Sequence, residues 1–279
     1  MIRWLAAAAL LLAAGAFGGG CWLASLFSEP TARAVPSLAG ALGAKRVLGV
    51  FAHPDDEQLV TGLLLRAKRD GAFTALVAAT RGEAGEQSPV VARQRDLGEI
   101  REAELLKNGF ALGVDEQEVW RYPDGDVPSV PLDELVDRVE QALLRYQPDL
   151  VVSFWPASGA TGHKDHMRVG LAAESAAQRL AARGAGPRWL AYALTPRRAL
   201  ARIGGPRGGE IARATPDATH CMPGEAAAKL RGWQIHASQR DFVQKIYGVP
   251  PRVLYWLWDE ELYRVVELAE PSPVASETR

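Results

Sequence analysis

The chain has 279 residues, 48% of them hydrophobic and 23% charged, which is enough to bury one good-sized core and fits a single catalytic domain. The net charge of -1 and a pI near 6.5 leave no overall field to gather nucleic acid or an acidic membrane, so neither class of partner is expected on this ground. Only two cysteines occur, Cys21 and Cys221, and Cys21 lies in a hydrophobic segment, so no disulfide framework can form in the soluble part.

From Trp4 to Phe27 no residue is charged, with Arg3 before the run and Glu29 after it. The run reads as an N-terminal hydrophobic helix with two open fates. Ala32-Arg33-Ala34 offers a small-x-small site for signal-peptide cleavage. Alternatively, the run is long enough to stay as an anchor, since about 20 apolar residues span a bilayer. A lipoprotein is not expected, because Gly18 stands three before Cys21. Three consecutive glycines and a Pro/Ala-rich stretch after the run argue against a buried helix of the globular domain. Residues 1–34 are therefore expected as signal peptide or membrane anchor with its linker, and 35–279 as the folded domain. The protein is expected to be exported or membrane-anchored, in a bacterial-type envelope or outside the cell.

After the linker, Arg46 to Phe51 reads as a short apolar strand and Glu57 to Asp70 as a helix stopped by Gly71. Phe73 to Ala79 is a second strand. The polar loop Thr80 to Ser88 leads past Pro89 into a long charged helix ending near Gly109. Glu118 to Arg121 reads as a brief strand, Pro131 to Tyr146 as a helix, and Leu150 to Phe154 as a fourth apolar strand. A Gly-rich loop then precedes a helix from Asp165 to Arg183. Alternation of this kind predicts an α/β fold with a Rossmann-like, mostly parallel sheet and helices on both faces. Between Thr195 and Gly224 the pattern dissolves into Gly, Pro and Arg and reads as a long loop. Val253 to Leu268 reads as a terminal pair of strands.

Chemistry concentrates at two strand ends. His53-Pro54-Asp55-Asp56-Glu57 follows the first strand, and open α/β sheets bind ligands outside the carboxyl ends of their strands. One imidazole and three carboxylates in five positions are costly to bury without a cation or several hydrogen bonds. The plainer alternative is a helix cap by Asp55 or Asp56 with His53 ending the strand. A second cluster, Gly162-His163-Lys164-Asp165-His166, follows the fourth strand and should reach the same edge of the sheet. Its two histidines are three apart, so both can face one cleft from a helix start. Mixed imidazole and carboxylate ligands with an open position suit catalytic Zn2+, with Fe2+ or Co2+ as other occupants. Such a cation lowers the pKa of a bound water to about 7, and a nearby carboxylate can take its proton.

With these two motifs the chain resembles the PIG-L (LmbE-like) deacetylase family, whose hallmarks are His-Pro-Asp-Asp-Glu and a later His-x-Asp-His. The resemblance runs from about Lys45 to Gln239 and includes Thr80-Arg81-Gly82-Glu83-Ala84-Gly85, Arg101 to Glu104 and Tyr122-Pro123-Asp124-Gly125. It implies a Rossmann-like fold and hydrolysis of the acetamide of N-acetylglucosamine conjugates. Carried over by motif, His53, Asp56 and His166 would be the zinc ligands and Asp55 the general base. His163, as a protonated imidazole, would steady the oxyanion, and Asp165 would orient a histidine. Lys164 departs from the Pro often found at its position in the motif. The resemblance also points to a sugar-binding wall with Arg81 and Glu83 and to His236 at the pocket border; Glu57 is a further substrate-binding candidate, and Arg93 and Arg95 are candidates to reach a charged or phosphate-bearing aglycone.

Trp233, Trp256 and Trp258 suit core packing, sugar stacking or a membrane interface. His220 and Cys221 lack a ligand partner at spacing and read as bystanders. The substrate class expected is an N-acetylated amino-sugar conjugate, lipid-linked if the N-terminal run 4–27 holds the protein at a membrane. Two rivals stand beside it: a metal-dependent amidase acting on another conjugate, and a carbohydrate-binding protein without turnover.

Overall fold

A computed structural model describes residues 19–268. In chain order the elements are β1 (Arg33–Ala34), α1 (Leu38–Leu42), β2 (Arg46–Phe51), α2 (Thr61–Arg69), β3 (Phe73–Ala78), α3 (Leu97–Leu112), β4 (Glu116–Val119), α4 (Leu132–Tyr146) and β5 (Leu150–Phe154). There follow α5 (Lys164–Ala181), β6 (Trp189–Leu194), α6 (Arg197–Ile203), α7 (Gly208–Ala214), β7 (His220–Pro223), α8 (Ala226–Ile235), α9 (Phe242–Tyr247), α10 (Pro251–Leu257) and β8 (Glu260–Glu267). The eight strands form one sheet in the order β1-β7-β8-β6-β5-β2-β3-β4.

The central strands are parallel: β2 pairs with β3 on one side and β5 on the other, and β5 with β6. Their sequences, RVLGVF and LVVSF, are apolar without alternation and buried almost throughout, as strands covered on both faces must be. The chain runs outward from β2 through β3 to β4, then crosses back to place β5 on the opposite side of β2. β2 and β5 therefore flank a topological switch point, where open sheets leave a crevice at the strand carboxyl ends. Helix α5 packs directly on β5: a Cβ at Gly170 would lie 2.4 Å from the Phe154 carbonyl oxygen, so only glycine allows that approach.

Several expectations need correction. The 195–224 stretch is not a long loop but contains α6, α7 and the strand β7, because Ala199, Ile211, Ala212, Ala218, Cys221 and Met222 find buried positions despite the Gly- and Arg-rich sequence. Val253 to Leu268 gives one helix end and one strand rather than two strands, and β8 runs antiparallel to both β6 and β7. β6 carried no recognised signal. The helix after the first motif opens as a 3-10 turn, Asp56–Val60, before α2.

The expected N-terminal hydrophobic helix falls largely on residues 1–18, outside the described residues. Residues 19–26 are helical, and no helix among the described residues is long and apolar enough to cross a membrane. The expected linker is packed: Leu26 and Phe27 are buried, and β1 pairs with β7 at the sheet edge. They join a second, smaller apolar cluster with Trp233, Val243, Leu254, Tyr255 and Trp258, apart from the main core around the sheet.

Candidate active site

The two motifs, 113 residues apart, meet at the switch point. His53 leaves the end of β2 and His166 lies in the first turn of α5, and both are buried. His53 Nδ1 is 3.1 Å from His166 Nε2 and 3.4 Å from Asp56 Oδ2, while His166 Nε2 is 3.2 Å from Asp56 Oδ1. A tetrahedral cation with bonds of about 2.0–2.1 Å holds its ligand atoms about 3.3–3.4 Å apart; the two imidazole nitrogens come close to that spacing, and Asp56 approaches each of them through a different oxygen, Oδ2 toward His53 and Oδ1 toward His166. Two wider groupings also have ligand atoms within 4.8 Å of one another: His53, His163 and His166, and His53, Asp124 and Asp165. Of the alternatives to Asp56, His163 is exposed and its Nδ1 is engaged by the Asp165 amide, which favours Asp56 as the third ligand.

The ring orientations support that set. His166 Nδ1 donates to the Gly159 carbonyl at 2.9 Å, so Nε2 presents its lone pair to the cluster. Gly159 is held at φ 54°, and a Cβ there would lie 2.9 Å from His166 Cβ, so glycine is required for this contact. On the far side of His53, Nε2 faces Asp124 Oδ1 at 3.1 Å and Asp165 Oδ2 at 3.2 Å. Asp165 is fully buried, accepts the Gly125 amide at 2.8 Å and has one oxygen without a partner. Such concentrated negative charge around two imidazoles fits a cation.

Electrostatics follow the same geometry. Burial alone would lower the His53 pKa, but hydrogen bonds to Asp124, Asp165 and Asp56 raise it well above the ordinary value. Burial would raise Asp56, yet His166 and His53 hold its carboxyl well below the usual range. A cation bound through His53 competes with protonation of that ring, which makes its binding pH-dependent.

Asp55 is different. Its backbone is at φ 104°, a left-handed conformation that non-glycine residues adopt at a cost, typically at functional sites. The Glu57 carboxylate accepts the Asp55 amide at 2.9 Å and secures this turn. Burial lifts the Asp55 carboxyl to about 6, opposed by Arg101 and reinforced by Asp56 and Glu57. Arg101 Nη2 donates to Asp55 Oδ2 at 3.0 Å and to the Pro54 carbonyl at 2.6 Å. A carboxyl with a pKa near neutrality beside a cation site is suited to accept a proton.

His163 caps α5, its Nδ1 accepting the Asp165 amide at 3.2 Å. Partial desolvation and the neighbouring His166 and His53 rings lower its pKa. That direction opposes the expected protonated ring, and with Nδ1 accepting the Asp165 amide a neutral ring carries its proton on Nε2.

A cavity of about 490 Å³ opens on this cluster. None of the candidate substrate-binding residues Glu57, Arg81, Glu83, Arg93 and His236 lines it. Glu57 and His236 form a buried pair behind the site, with Asn108 donating to Glu57 at 2.6 Å. Arg81 pairs with Glu99, Glu83 accepts the Asp124 amide at 3.1 Å, and Arg93 pairs with Asp96 on the surface. Their polar character holds loops together instead. The cavity walls include Arg101, Asp124, Lys229, Trp233 and Trp258, whereas Trp256 is 74% exposed. His220 and Cys221 lie in β7, away from the cavity lining.

A cation cradle of two imidazoles and a carboxylate, a proton acceptor beside it and a cavity of small-sugar size define a hydrolytic centre on a Rossmann-like sheet. Residues 48–177 match the family model described as PIG-L: GlcNAc-PI de-N-acetylase. The chain is similar to the 1D-myo-inositol 2-acetamido-2-deoxy-alpha-D-glucopyranoside deacetylase of Kineococcus radiotolerans, 30% identical over 84% of this chain and 81% of that protein. In fold it is similar to N,N'-diacetylchitobiose deacetylase from Pyrococcus horikoshii, with TM-score 0.62 and 20% identity over 82% of this chain and 90% of that one. It is also similar in fold to GalB, the 4-carboxy-2-hydroxymuconate hydratase of Pseudomonas putida, with TM-score 0.59 and 17% identity over 83% and 96%. The chain belongs to the PIG-L family and is a hydrolase of the N-deacetylase class.

Proposed function

We propose that the protein removes the N-acetyl group from an N-acetylglucosamine-containing conjugate, with Zn2+ held by His53, Asp56 and His166. The observation that carries this reading is the convergence of His53 Nδ1 and His166 Nε2, 3.1 Å apart, on the Asp56 carboxylate, whose two oxygens lie 3.4 Å and 3.2 Å from them, with Asp55 raised to about 6 beside them. The ion, when bound, supplies Lewis acidity that polarises the acetamide carbonyl and acidifies a water.

Asp55 takes the proton of the attacking water on its carboxylate and returns it to the departing amine, so that acetate and a free amino sugar leave. Arg101 keeps the Asp55 carboxylate aimed through its 3.0 Å bond. His163 donates its Nε2 proton to the developing oxyanion, a donor that is worth most when it is already in place. Asp165 and Asp124 hold the His53 ring, and Glu57 with His236 supports the Asp55 turn from behind.

The substrate is expected to combine a sugar with a partly apolar aglycone, since Leu59, Trp233, Leu254 and Trp258 line the cavity together with the carboxylates. The uncharged run 4–27 supports an exported or anchored protein acting on an envelope conjugate, lipid-linked in the anchored case. Metal analysis of the purified chain together with amine release from N-acetylglucosamine conjugates tests the assignment. About one zinc per chain, with release abolished in Asp55→Asn while zinc is retained, is the expected result. Turnover of other amides but no acetamido sugar would move the substrate to another conjugate, and zinc binding without any turnover would favour a binding protein.

A further inference from the structure

Thirteen large apolar side chains are exposed among the described residues, and six of them sit on three short elements of the second apolar cluster. The helical segment 19–26 exposes Trp22 and Leu23 while burying Leu26. In α9, Phe242 and Ile246 are exposed while Val243 is buried. In α10, Val253 and Trp256 are exposed beside buried Leu254 and Tyr255. Each element thus presents apolar groups both inward and outward, although a surface helix normally keeps them to one side. Phe242 and Ile246 also line the cavity, so these exposed groups border its mouth.

The charge around them is mixed and largely paired: Lys229 is buried against Glu261, Arg240 pairs with Asp241 and Lys245 with Glu86. The uncharged run 4–27 ends in this same cluster, since Phe27 stacks with Trp258 at 6.3 Å between ring centroids. Exposed Trp and Phe, with an uncharged run of bilayer-spanning length joining the same cluster, are what a bilayer surface accommodates.

We propose that α9 and α10, with residues 19–26, form an interfacial surface that seats the cavity mouth on a lipid bilayer. Through α9 and α10 this contact reaches beyond the N-terminal run, and it stands whether or not the cavity is a deacetylase site.

The test places an environment-sensitive NBD dye on the full chain at Trp256→Cys, in a Cys21→Ser background that leaves the buried Cys221. A matched probe at Phe110→Cys, 85% exposed and outside the cluster, is the control. With phosphatidylcholine vesicles containing phosphatidylglycerol, the probe at 256 should shift to the blue and brighten, and the probe at 110 should not. Replacing Ile246 and Val253 together by Ser should weaken vesicle partitioning at least about tenfold through lost apolar burial. A 256 probe that stays in water with vesicles present would overturn the proposal. So would equal responses at 256 and 110, or a shift that grows with protein concentration without lipid, which would identify a second copy of the chain as the occupant.

Discussion

Asp165→Asn offers the sharpest test of the His53 assignment. Asn keeps the shape of this fully buried side chain and an oxygen to accept the Gly125 amide, so it removes little but charge. Partners that orient a ligating histidine are worth about 10–100-fold in metal affinity, or about 1.4–2.7 kcal/mol. His53 Nε2, however, has two carboxylates at nearly equal distance, 3.1 Å to Asp124 and 3.2 Å to Asp165. Either alone can receive its proton, so each single Asn variant should lose about tenfold in zinc affinity and the double variant about 100-fold or more. Removing a carboxylate also lowers the raised His53 pKa, which makes its deprotonation easier in acid. The affinity gap should therefore narrow as pH falls and widen as it rises. Zinc dissociation constants from chelator competition, across pH, measure both effects, with thermal melts of the metal-free proteins as the check on folding. A double variant binding zinc within about threefold of wild type at high pH would refute His53 as a ligand held through its far nitrogen.

Three further outcomes follow from the site and its support. The acid limb of kcat/KM for amide hydrolysis should have an apparent pKa near 6, where Asp55 titrates, and Asp55→Asn should lose about 10²–10⁴ in rate. A limb near the ordinary carboxyl value would show that Asp55 is not the titrating base. The buried Glu57–His236 pair should set a pH window of stability. The depressed Glu57 pKa stabilises above its ordinary 4.5 and fades as pH falls through the folded value, while the raised His236 pKa stabilises below its ordinary 6.5 and fades as pH rises through the folded value. His236→Ala, which leaves the Glu57 charge unpaired, should cost about 3–5 kcal/mol in denaturant unfolding at pH 5.5–6 and flatten that profile. Phe27→Ala should cost about 3–5 kcal/mol in the same assay; near-neutral behaviour would detach the N-terminal segment from the second cluster.

The site's centre was legible because its ligands come in short motifs at the ends of apolar runs. Arg46 to Phe51 and Leu150 to Phe154 look alike in sequence and lie side by side in the sheet, so the residues after each must converge. The supports were harder to read. Arg101, Glu104 and Asn108 are all buried on α3, a polar stripe at helical spacing within a helix that reads as merely charged, and only their partners Asp55, Ser238 and Glu57 reveal its purpose. Asp124 follows a strand of sequence EQEV, whose polarity hid that it delivers a carboxylate to His53. The expected sugar-wall residues fail for the same reason in reverse: Arg81 and Glu83 are polar and near the site in sequence, yet their partners are Glu99 and the Asp124 amide.

The N-terminal boundary was the least legible feature, because an apolar run and a small-x-small triplet look the same whether or not the chain beyond them is packed. Arg33–Ala34 pairs with His220 and Cys221, and Ser37 caps α1 by accepting the Gly40 amide at 3.2 Å. Cleavage after Ala34 would therefore strip an edge strand from the sheet and remove Leu26 and Phe27 from the cluster that holds Trp233, Tyr255 and Trp258. Those three residues also line the cavity. Losing two buried apolar side chains, at about 2–5 kcal/mol each, would take up much of the 5–15 kcal/mol that stabilises a typical domain. On this balance we propose that the working protein keeps the chain from at least Leu26 onward, and a soluble variant beginning at Val35 should melt well below one beginning at Gly19.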